Sequence, residues 1–284
     1  MPHFSIAALQ LSLPAEDNLE RIGDEIINTK KRFPWINMVV LSELCCYGPD
    51  KRNAQQLPSS AELFFCRLAK EQQLWIITGS QFELVGNETY NTSTVINNQG
   101  EILNRYRKIY PFHPYESGVS PGKDFVVFDV PQGRIGLAIC YDLWFPEVAR
   151  TLTCMGAEVI IYPTMTGTID RPLETLLTQS TSITNQCYTL SVNTAGIYGN
   201  GQSTLVGPQG DLIYQAGSGQ EIIPFEVDFN LVRRSRERGL HGLGQPLKSF
   251  RDNAIKYSIY KNDAHKNAEL NKLGSLVIPH KEQG

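Results

Sequence analysis

The chain has 284 residues, of which 41% are hydrophobic and 19% are charged, so it can bury a sizeable core as one large domain or two ordinary ones. Its formal net charge of −3 gives no strong field that would attract nucleic acid or an anionic membrane. No apolar stretch approaches the roughly 20 residues that a membrane-spanning helix needs. We therefore expect a soluble globular protein whose partner is a small molecule, with no nucleic acid and no membrane partner.

The cysteine pattern predicts reduced thiols and a cytoplasmic location. The six cysteines include an adjacent pair but no Cys-x-x-Cys spacing, and adjacent cysteines cannot easily bridge each other. The start of the chain lacks the basic leader of a signal peptide. The five histidines show no metal-ligand spacing, so we expect no metal site. The cysteines are Cys45, Cys46, Cys66, Cys140, Cys154 and Cys187.

The amino-terminal third predicts alternating strands and helices. Hydrophobic periodicity favours strands at 4–11, 37–42 and 74–82, and helices at 16–32 and 59–72. The second strand leads directly to Glu43. Because glutamate is rarely buried, this carboxylate is either the exposed end of the strand or a retained functional acid.

The next stretch combines a hairpin with an unusual connection. Residues 89–96 and 101–106 alternate polar and apolar side chains around Asn-Asn-Gln-Gly, which is typical of an antiparallel hairpin. The following residues, RYRKIYPFHPYESGVSPG, contain Lys108 and Glu116 among aromatic residues and prolines. Either this is a surface crossover with solvated charges, or it is packed, in which case the ammonium needs a carboxylate or oxyanion partner. The aromatic and proline content favours packing.

Residues 134–147, RIGLAICYDLWFPE, predict a strand-to-helix elbow with Cys140 at its tip. The apolar run ends on this cysteine, and a helix is expected from Pro146. The amino end of a helix lowers the pKa of a nearby thiol, which favours a thiolate. A buried structural cysteine is the alternative interpretation.

The remaining chain predicts an α/β domain followed by a polar extension. We expect the domain at 1–240 and an extension at 241–284 that either wraps the domain or reaches a partner subunit. Both parallel β-α units and antiparallel hairpins occur, so we predict two mixed sheets face to face with helices outside. The expected helices lie at 145–155, 173–186 and 230–238, and the expected strands at 158–162, 187–194, 203–206, 211–214 and 221–227.

Four of these side chains together satisfy the requirements of acyl transfer. Cys140 supplies a nucleophile, and Glu43 supplies a base that can take the thiol proton. Lys108 supplies a fixed cation that stabilises a thiolate and an oxyanion. Glu116 is a second carboxylate on the same connection as the lysine.

At these residues the sequence closely resembles the nitrilase superfamily of carbon–nitrogen hydrolases. The resemblance covers about residues 4–227 and rests on three separated motifs, LSEL, YRKIYPFHPYESGVSPG and GLAICYDLWFPEVAR. It implies a four-layer αββα sandwich. It also implies no metal and no organic cofactor, and a homo-oligomer built from dimers whose C-terminal tails wrap across each other.

The resemblance also implies roles for individual residues. The catalytic triad would be Glu43, Lys108 and Cys140, with Glu116 positioning substrate and base. The backbone N–H of Tyr141 would complete an oxyanion hole with Lys108. Cleavage would pass through a cysteine thioester and release ammonia and a carboxylic acid.

The elbow sequence Cys140-Tyr141-Asp142 resembles the amidase and carbamoylase branches, whereas true nitrilases usually carry Cys-Trp-Glu. The stretch around Lys108 is most similar to aliphatic amidases and formamidases. We therefore expect an amidase for small linear amides. The predicted substrate-binding residues are Tyr47, Phe112, Tyr141 and Met165.

Alternatives remain open at this point. A pocket walled by aromatic side chains favours a small uncharged amide, whereas Arg171 and Glu174 could recognise a charged substrate, although solvated side chains are the favoured interpretation of this pair. Nitrile hydrolysis and N-carbamoyl hydrolysis would use the same triad. A non-catalytic member that only binds a partner is a further possibility, because fold does not fix function.

Overall fold

The computed structural model describes residues 4–261 and 268–278, and within them two β-sheets stack face to face with helices on both outer surfaces. The strands are β1 Phe4–Gln10, β2 Met38–Val40, β3 Trp75–Ile77, β4 Gln81–Val85, β5 Glu88–Ile96, β6 Ile102–Arg107, β7 Val126–Val130, β8 Gly133–Leu137, β9 Val159–Thr164, β10 Tyr188–Asn193, β11 Thr204–Val206, β12 Leu212–Gln215 and β13 Glu221–Val227. The α-helices are α1 Leu19–Arg32, α2 Ser60–Gln72, α3 Pro146–Cys154, α4 Arg171–Asn185, α5 Phe229–Arg238, α6 Pro246–Asp252 and α7 Ala268–Asn271.

The two sheets mix parallel and antiparallel pairing, as predicted. The first has strand order β13-β1-β2-β3-β5-β4, with β6 pairing with β5. Its β1, β2 and β3 run parallel, and the other pairs are antiparallel. The second has order β12-β11-β10-β9-β8-β7, with β8, β9 and β10 parallel. Parallel neighbours bring several strand carboxyl ends to the same edge of each sheet.

Alternation along the strands divides the core into layers. In β1, Ile6 and Ala8 face the second sheet, whereas Ala7 and Leu9 face α1 and α2. A strand buried on both faces has no solvent-facing side, which is why β1 carries consecutive apolar residues from Ile6 to Leu9. α3 and α4 cover the second sheet. The predicted four-layer αββα sandwich is thereby confirmed.

One predicted strand is wrong. The run 74–82 is two strands, β3 and β4, separated at Gly79, whose φ is +71°. A Cβ at this position would lie 1.9 Å from the Ser42 carbonyl oxygen, so only glycine fits the close approach. The structure also contains β7, a strand for which no prediction was made from the hydrophobic pattern.

Helix α6 and the residues up to Tyr260 in the extension contact α3 of the domain. Tyr260 donates a hydrogen bond of 2.8 Å to Glu147 on α3, and the Arg150 guanidinium lies 5.1 Å from the ring centre of Phe250 on α6. Residues 262–267 and 279–284 of the predicted extension lie outside the described residues. Among the described helices, none combines the length and apolarity that crossing a bilayer requires.

Candidate active site

The predicted functional residues follow the ends of three strands where the two sheets face each other. Glu43 follows β2, Lys108 follows β6 and Cys140 follows β8. The Glu43 N–H donates to the carbonyl of Thr164, the last residue of β9, across 3.3 Å. This bond ties the first sheet to the second directly beside the site.

Lys108 joins the two carboxylates. Its Nζ donates to Glu43 Oε1 at 2.8 Å and to Glu116 Oε2 at 2.7 Å. The lysine side chain is 1% exposed and the Glu43 side chain 3% exposed. The crossover over residues 105–122 is therefore packed, as predicted, and the ammonium has the carboxylate partners that burial demands.

Asn91 on β5 is a fifth member of this cluster, and sequence reasoning missed it. Its Nδ2 donates to Glu43 Oε1 at 2.8 Å and to Glu116 Oε1 at 3.3 Å. Its backbone oxygen accepts from the Lys108 N–H at 2.9 Å. The available signal was a polar residue in the fully buried half of β5. Asn91 fixes the orientation of both carboxylates toward the lysine.

Cys140 occupies a constrained elbow. Its φ is +46°, a left-handed conformation that is uncommon for a residue with a side chain. Cys140 is the first residue of a short 3₁₀ helix, Cys140–Trp144, that precedes α3. The first N–H groups of a helical turn have no partner within the turn, so the N–H of Tyr141 is available close to the sulfur.

Asp142 holds this elbow in place. Its Oδ2 accepts from the Ile139 N–H at 2.9 Å and from the Tyr106 hydroxyl at 2.7 Å, and its Oδ1 accepts from the Tyr110 N–H at 2.8 Å. Burial raises the pKa of Asp142 to about 6, although all three donors favour the carboxylate. The side chain thus connects the elbow to the crossover that carries Lys108.

Replacing Asp142 with asparagine is expected to lower the free energy of unfolding by about 1–3 kcal/mol. An amide NH₂ group cannot accept a hydrogen bond, so at least one of the N–H or O–H groups that now donate to the carboxylate would lose its acceptor. Urea unfolding of both proteins at neutral pH measures this change. Asp129→Asn is a matched control, since that carboxylate is exposed. Equal unfolding free energies for wild type and Asp142→Asn would contradict the role assigned to Asp142.

The prediction that Cys140 is a thiolate is wrong for the protein without substrate. Burial raises the pKa of the Cys140 thiol well above its ordinary value, and the nearby Glu43 charge raises it further, whereas Lys108 opposes both effects less strongly. The side chain is 8% exposed in total. The cysteine is therefore a neutral thiol at neutral pH, and its activation requires a base.

The other charges in the cluster respond in opposite directions. Burial raises the pKa of Glu43 and outweighs the opposing Lys108 charge. Burial alone would lower the pKa of Lys108, but the negative charges of Glu43 and Glu116 hold it well above its usual range. Burial alone would raise the carboxyl pKa of Glu116, but the charge of Lys108 outweighs burial and lowers that pKa. Lys108 and Glu116 are thus a fixed ion pair, and Glu43 is the carboxylate best able to exchange a proton.

Two cavities meet at Cys140. The larger, of about 230 Å³, contains Glu43, Lys108, Glu116 and Cys140 in its lining. The smaller, of about 110 Å³, contains Cys140 and Tyr141. Of the residues predicted to bind substrate, Phe112 and Met165 line both cavities, and Tyr141 lines the smaller one.

The placement predicted for Tyr47 is wrong. Its hydroxyl forms a 3.1 Å hydrogen bond with the Ser60 hydroxyl, and its side chain lines a separate surface depression beside Arg52. Gly48 follows Tyr47 with a φ of +72°, which turns the chain at this point. Tyr47 therefore lines neither cavity at Cys140.

The interpretation of Arg171 and Glu174 as solvated is also wrong. Arg171 is fully buried and donates to Glu174 Oε2 at 2.8 Å and to the carbonyl of Gln202 at 2.9 Å. Glu174 accepts from the Thr166 hydroxyl at 3.0 Å, and that hydroxyl lies 3.8 Å from the Cys140 sulfur. Because its guanidinium is already bonded inside the fold, Arg171 is not positioned to meet a substrate.

Within residues 4–261 and 268–278, no group of three or more histidine, cysteine or acidic side chains could hold a metal ion. The chemistry that the cluster can perform follows from its own side chains. A neutral thiol, a carboxylate with a raised pKa and a fixed ammonium form a nucleophile, a general base and an oxyanion donor.

Comparison with known proteins identifies the class to which this site belongs. The sequence model of the Carbon-nitrogen hydrolase family matches residues 5–237. The chain is 30% identical over 263 residues to omega-amidase NIT3 of Saccharomyces cerevisiae, covering 82% of this chain and 89% of that protein. It is 28% identical over 261 residues to omega-amidase NIT2 of Mus musculus, covering 84% of this chain and 93% of that protein. The chain therefore belongs to the carbon–nitrogen hydrolase family.

Solved structures agree with this assignment. The crystal structure of Saccharomyces cerevisiae Nit3, a member of branch 10 of the nitrilase superfamily, superimposes with a TM-score of 0.80 at 30% identity, covering 89% of this chain and 97% of that one. An amidase from Nesterenkonia has a TM-score of 0.73 at 21% identity, covering 83% of this chain and 95% of that one, which supports the fold. The prediction of a nitrilase-superfamily amidase that cleaves non-peptide C–N bonds through a cysteine is confirmed at the level of class.

Proposed function

We propose that the protein is an omega-amidase, an enzyme that hydrolyses the terminal primary amide of a short-chain carboxylate and releases ammonia. The observation that carries the proposal is the buried Lys108 ammonium, bonded to both Glu43 and Glu116 in the cavity that contains Cys140. The omega-amidases among the relatives support the substrate class. The proposal extends the small uncharged amide expected from the sequence to one that carries a carboxylate.

Catalysis begins with formation of the thioester. Glu43 accepts the Cys140 proton while the sulfur attacks the amide carbonyl carbon, forming a tetrahedral intermediate. The negative oxygen of this intermediate is stabilised by Lys108 Nζ and the Tyr141 N–H. Glu43 then donates its proton to the nitrogen, the C–N bond breaks, and ammonia leaves.

Hydrolysis of the thioester restores the enzyme. Glu43 removes a proton from water, the resulting hydroxide attacks the thioester carbonyl, and the proton returns to sulfur as the C–S bond breaks. Glu116 remains paired with Lys108 and keeps its ammonium directed at the reacting oxygen. Both half-reactions thus use the same base and the same oxyanion donors.

The substrate panel that tests this proposal measures ammonia release from monoamides of short dicarboxylic acids, neutral primary amides of matched length, N-carbamoyl compounds and nitriles. Wild-type protein should act best on the dicarboxylic monoamides. Release of carbon dioxide with ammonia would instead indicate a carbamoylase, and turnover of nitriles alone a nitrilase. Absence of ammonia release from all four substrate classes would contradict the proposed activity.

The raised pKa of Glu43 predicts a specific pH dependence. Glu43 must be unprotonated to accept the thiol proton, so kcat/KM should fall as the pH is lowered through this pKa. Because burial raises that pKa above the usual glutamate value, the acid limb should lie at higher pH than for an exposed carboxylate. Rates of ammonia release between about pH 4 and about pH 8 measure the limb. A midpoint at or below the usual glutamate value would contradict Glu43 as the base.

We also propose a homo-oligomer built from dimers that pair through α3 and α4. Leu173 and Leu176 lie three residues apart on α4 and are 50% and 62% exposed, so they form an apolar pair that a second subunit could cover. A cavity of about 710 Å³ lies between these helices and the C-terminal extension. Sedimentation of wild type and Leu176→Glu tests this proposal, and a monomeric wild type would overturn it.

A cytoplasmic location is proposed on the state of the thiols. All six cysteines are free, and four of them are buried. Free buried thiols are typical of a reducing compartment. Protein purified without reductant should titrate with six free thiols after unfolding, and a disulfide in that material would contradict the proposal.

A further inference from the structure

The wall of the larger cavity contains a second lysine that the mechanism does not use. Lys51 begins a short 3₁₀ helix, Lys51–Asn53, in the loop that follows Glu43. Its side chain lines the same 230 Å³ cavity as Cys140. The cavity is therefore bounded by one lysine in the catalytic cluster and another on a surface loop.

The Lys51 ammonium is held against the crossover. Its Nζ donates to the carbonyl of Ser117, and a Cβ added at Gly118 would lie 3.0 Å from Nζ. A carbonyl oxygen directs the ammonium without neutralising it, and an ammonium has three donors. Two N–H donors of Lys51 thus remain available beyond this bond.

The positive charge of Lys51 is not compensated by the residues around it. The neighbouring Asp50 is engaged by Arg52, whose Nε lies 3.0 Å and 2.9 Å from its two carboxylate oxygens. In the described part of the chain, no carboxylate lies within 4.0 Å of Lys51 Nζ. Lys108, the other cation of the cavity, is already shared by Glu43 and Glu116.

The rest of the cavity wall is largely apolar. Such a surface suits methylene groups, because removing them from water against an apolar wall is favourable. The apolar lining residues are Leu44, Pro49, Phe82, Phe112, Val119 and Met165. The cavity thus presents a nucleophile, an apolar wall and an uncommitted cation to one ligand.

We propose that Lys51 binds the carboxylate of the substrate and so selects an amide that carries a carboxylate at its other end. The inference rests on the proposed omega-amidase function and assigns its specificity to one side chain. The amide carbonyl lies at Cys140, the methylene chain lies along the apolar wall, and the carboxylate pairs with the Lys51 ammonium. Lys51 is a binding residue and takes no part in bond breaking.

The test compares Lys51→Met with wild type on a matched substrate pair, a dicarboxylic monoamide and the neutral primary amide of the same chain length. Methionine keeps the length of the side chain and removes its charge. We expect kcat/KM for the monoamide to fall about 10- to 100-fold, mainly through KM, because a charged hydrogen-bonded partner is lost. Turnover of the neutral amide should be unchanged.

Two further variants sharpen the test. Lys51→Arg keeps the positive charge and should retain most of the wild-type preference for the monoamide. Lys123→Met removes a charge from an exposed residue outside both cavities and should leave kcat/KM unchanged for both substrates. This control separates the specific effect of Lys51 from a general change in net charge.

The possible outcomes separate failure of the Lys51 assignment from failure of the omega-amidase proposal. If wild type shows no preference for the monoamide over the neutral amide, the omega-amidase proposal itself fails. If wild type shows the preference and Lys51→Met keeps it, the assignment to Lys51 is overturned. If Lys51→Met lowers kcat equally for both substrates, Lys51 only supports the structure of the crossover, and this result also overturns the inference.

Discussion

Replacing Cys140 with alanine is expected to reduce amide hydrolysis by at least about 10⁴-fold, because the residual rate then lacks covalent catalysis. The fold should survive. The removed thiol is almost fully buried in the cavity wall, and alanine occupies the left-handed conformation at this position at a cost similar to that of cysteine. Ammonia release and thermal unfolding measure the two effects.

Cys154→Ala provides the control for this experiment. Cys154 is an exposed cysteine at the end of α3, and its replacement should leave both rate and stability unchanged. Mass spectrometry of wild type mixed rapidly with substrate should detect a thioester on Cys140, and this species should be absent from Cys140→Ala. Hydrolysis by Cys140→Ala at a rate near wild type would refute the assignment of the nucleophile.

Replacing Lys108 with methionine is expected to damage both activity and stability. Activity should fall about 100- to 1000-fold through loss of one oxyanion donor. Stability should fall by about 3–5 kcal/mol, because Glu43 and Glu116 would be left as neighbouring buried carboxylates without their cation. Urea unfolding and ammonia release measure these losses.

The stability loss of Lys108→Met should depend on pH with a defined sign. Without the ammonium, burial and mutual repulsion raise the folded-state pKa values of both carboxyl groups above their unfolded values. Their destabilising effect should therefore be small at low pH, where both are protonated, and should grow as the pH rises through the raised values. A loss that is the same at pH values below and above this range would contradict the charge argument.

Glu116→Gln is the matched variant for Lys108→Met. It removes one carboxylate but leaves the 2.8 Å bond between Lys108 and Glu43 in place. It should therefore fold with a smaller stability loss and turn over slowly, because Lys108 is less firmly directed. Unimpaired turnover would show that Glu116 is only a structural residue.

Much of the architecture was predictable from local patterns. Apolar runs such as β1 and β9 are buried on both faces, so their composition alone marked them as strands. The turn at Asn97–Gly100 marked the hairpin of β5 and β6. The break at Gly79 was not predictable, because the reason for a glycine there is a carbonyl from another part of the chain, that of Ser42.

The sequence by itself also determined which residues could form the site. Glu43, Lys108, Glu116 and Cys140 were recognised because strand ends and a stiff crossover carried unusual residue types in three separate motifs. The structure brings all four together around Lys108. These residues are identifiable from local sequence, because each motif begins or ends within a few residues of one strand end.

Only the tertiary structure decided the charge states and the shape of the cavities. Burial makes Cys140 a neutral thiol, Asn91 reaches the site from mid-strand, and Tyr47 turns away from it. Arg171 and Glu174 look like surface charges on a helix, yet they are buried against each other. These features depend on which segments pack together and on the water they exclude, and both are set by contacts between residues far apart in the chain.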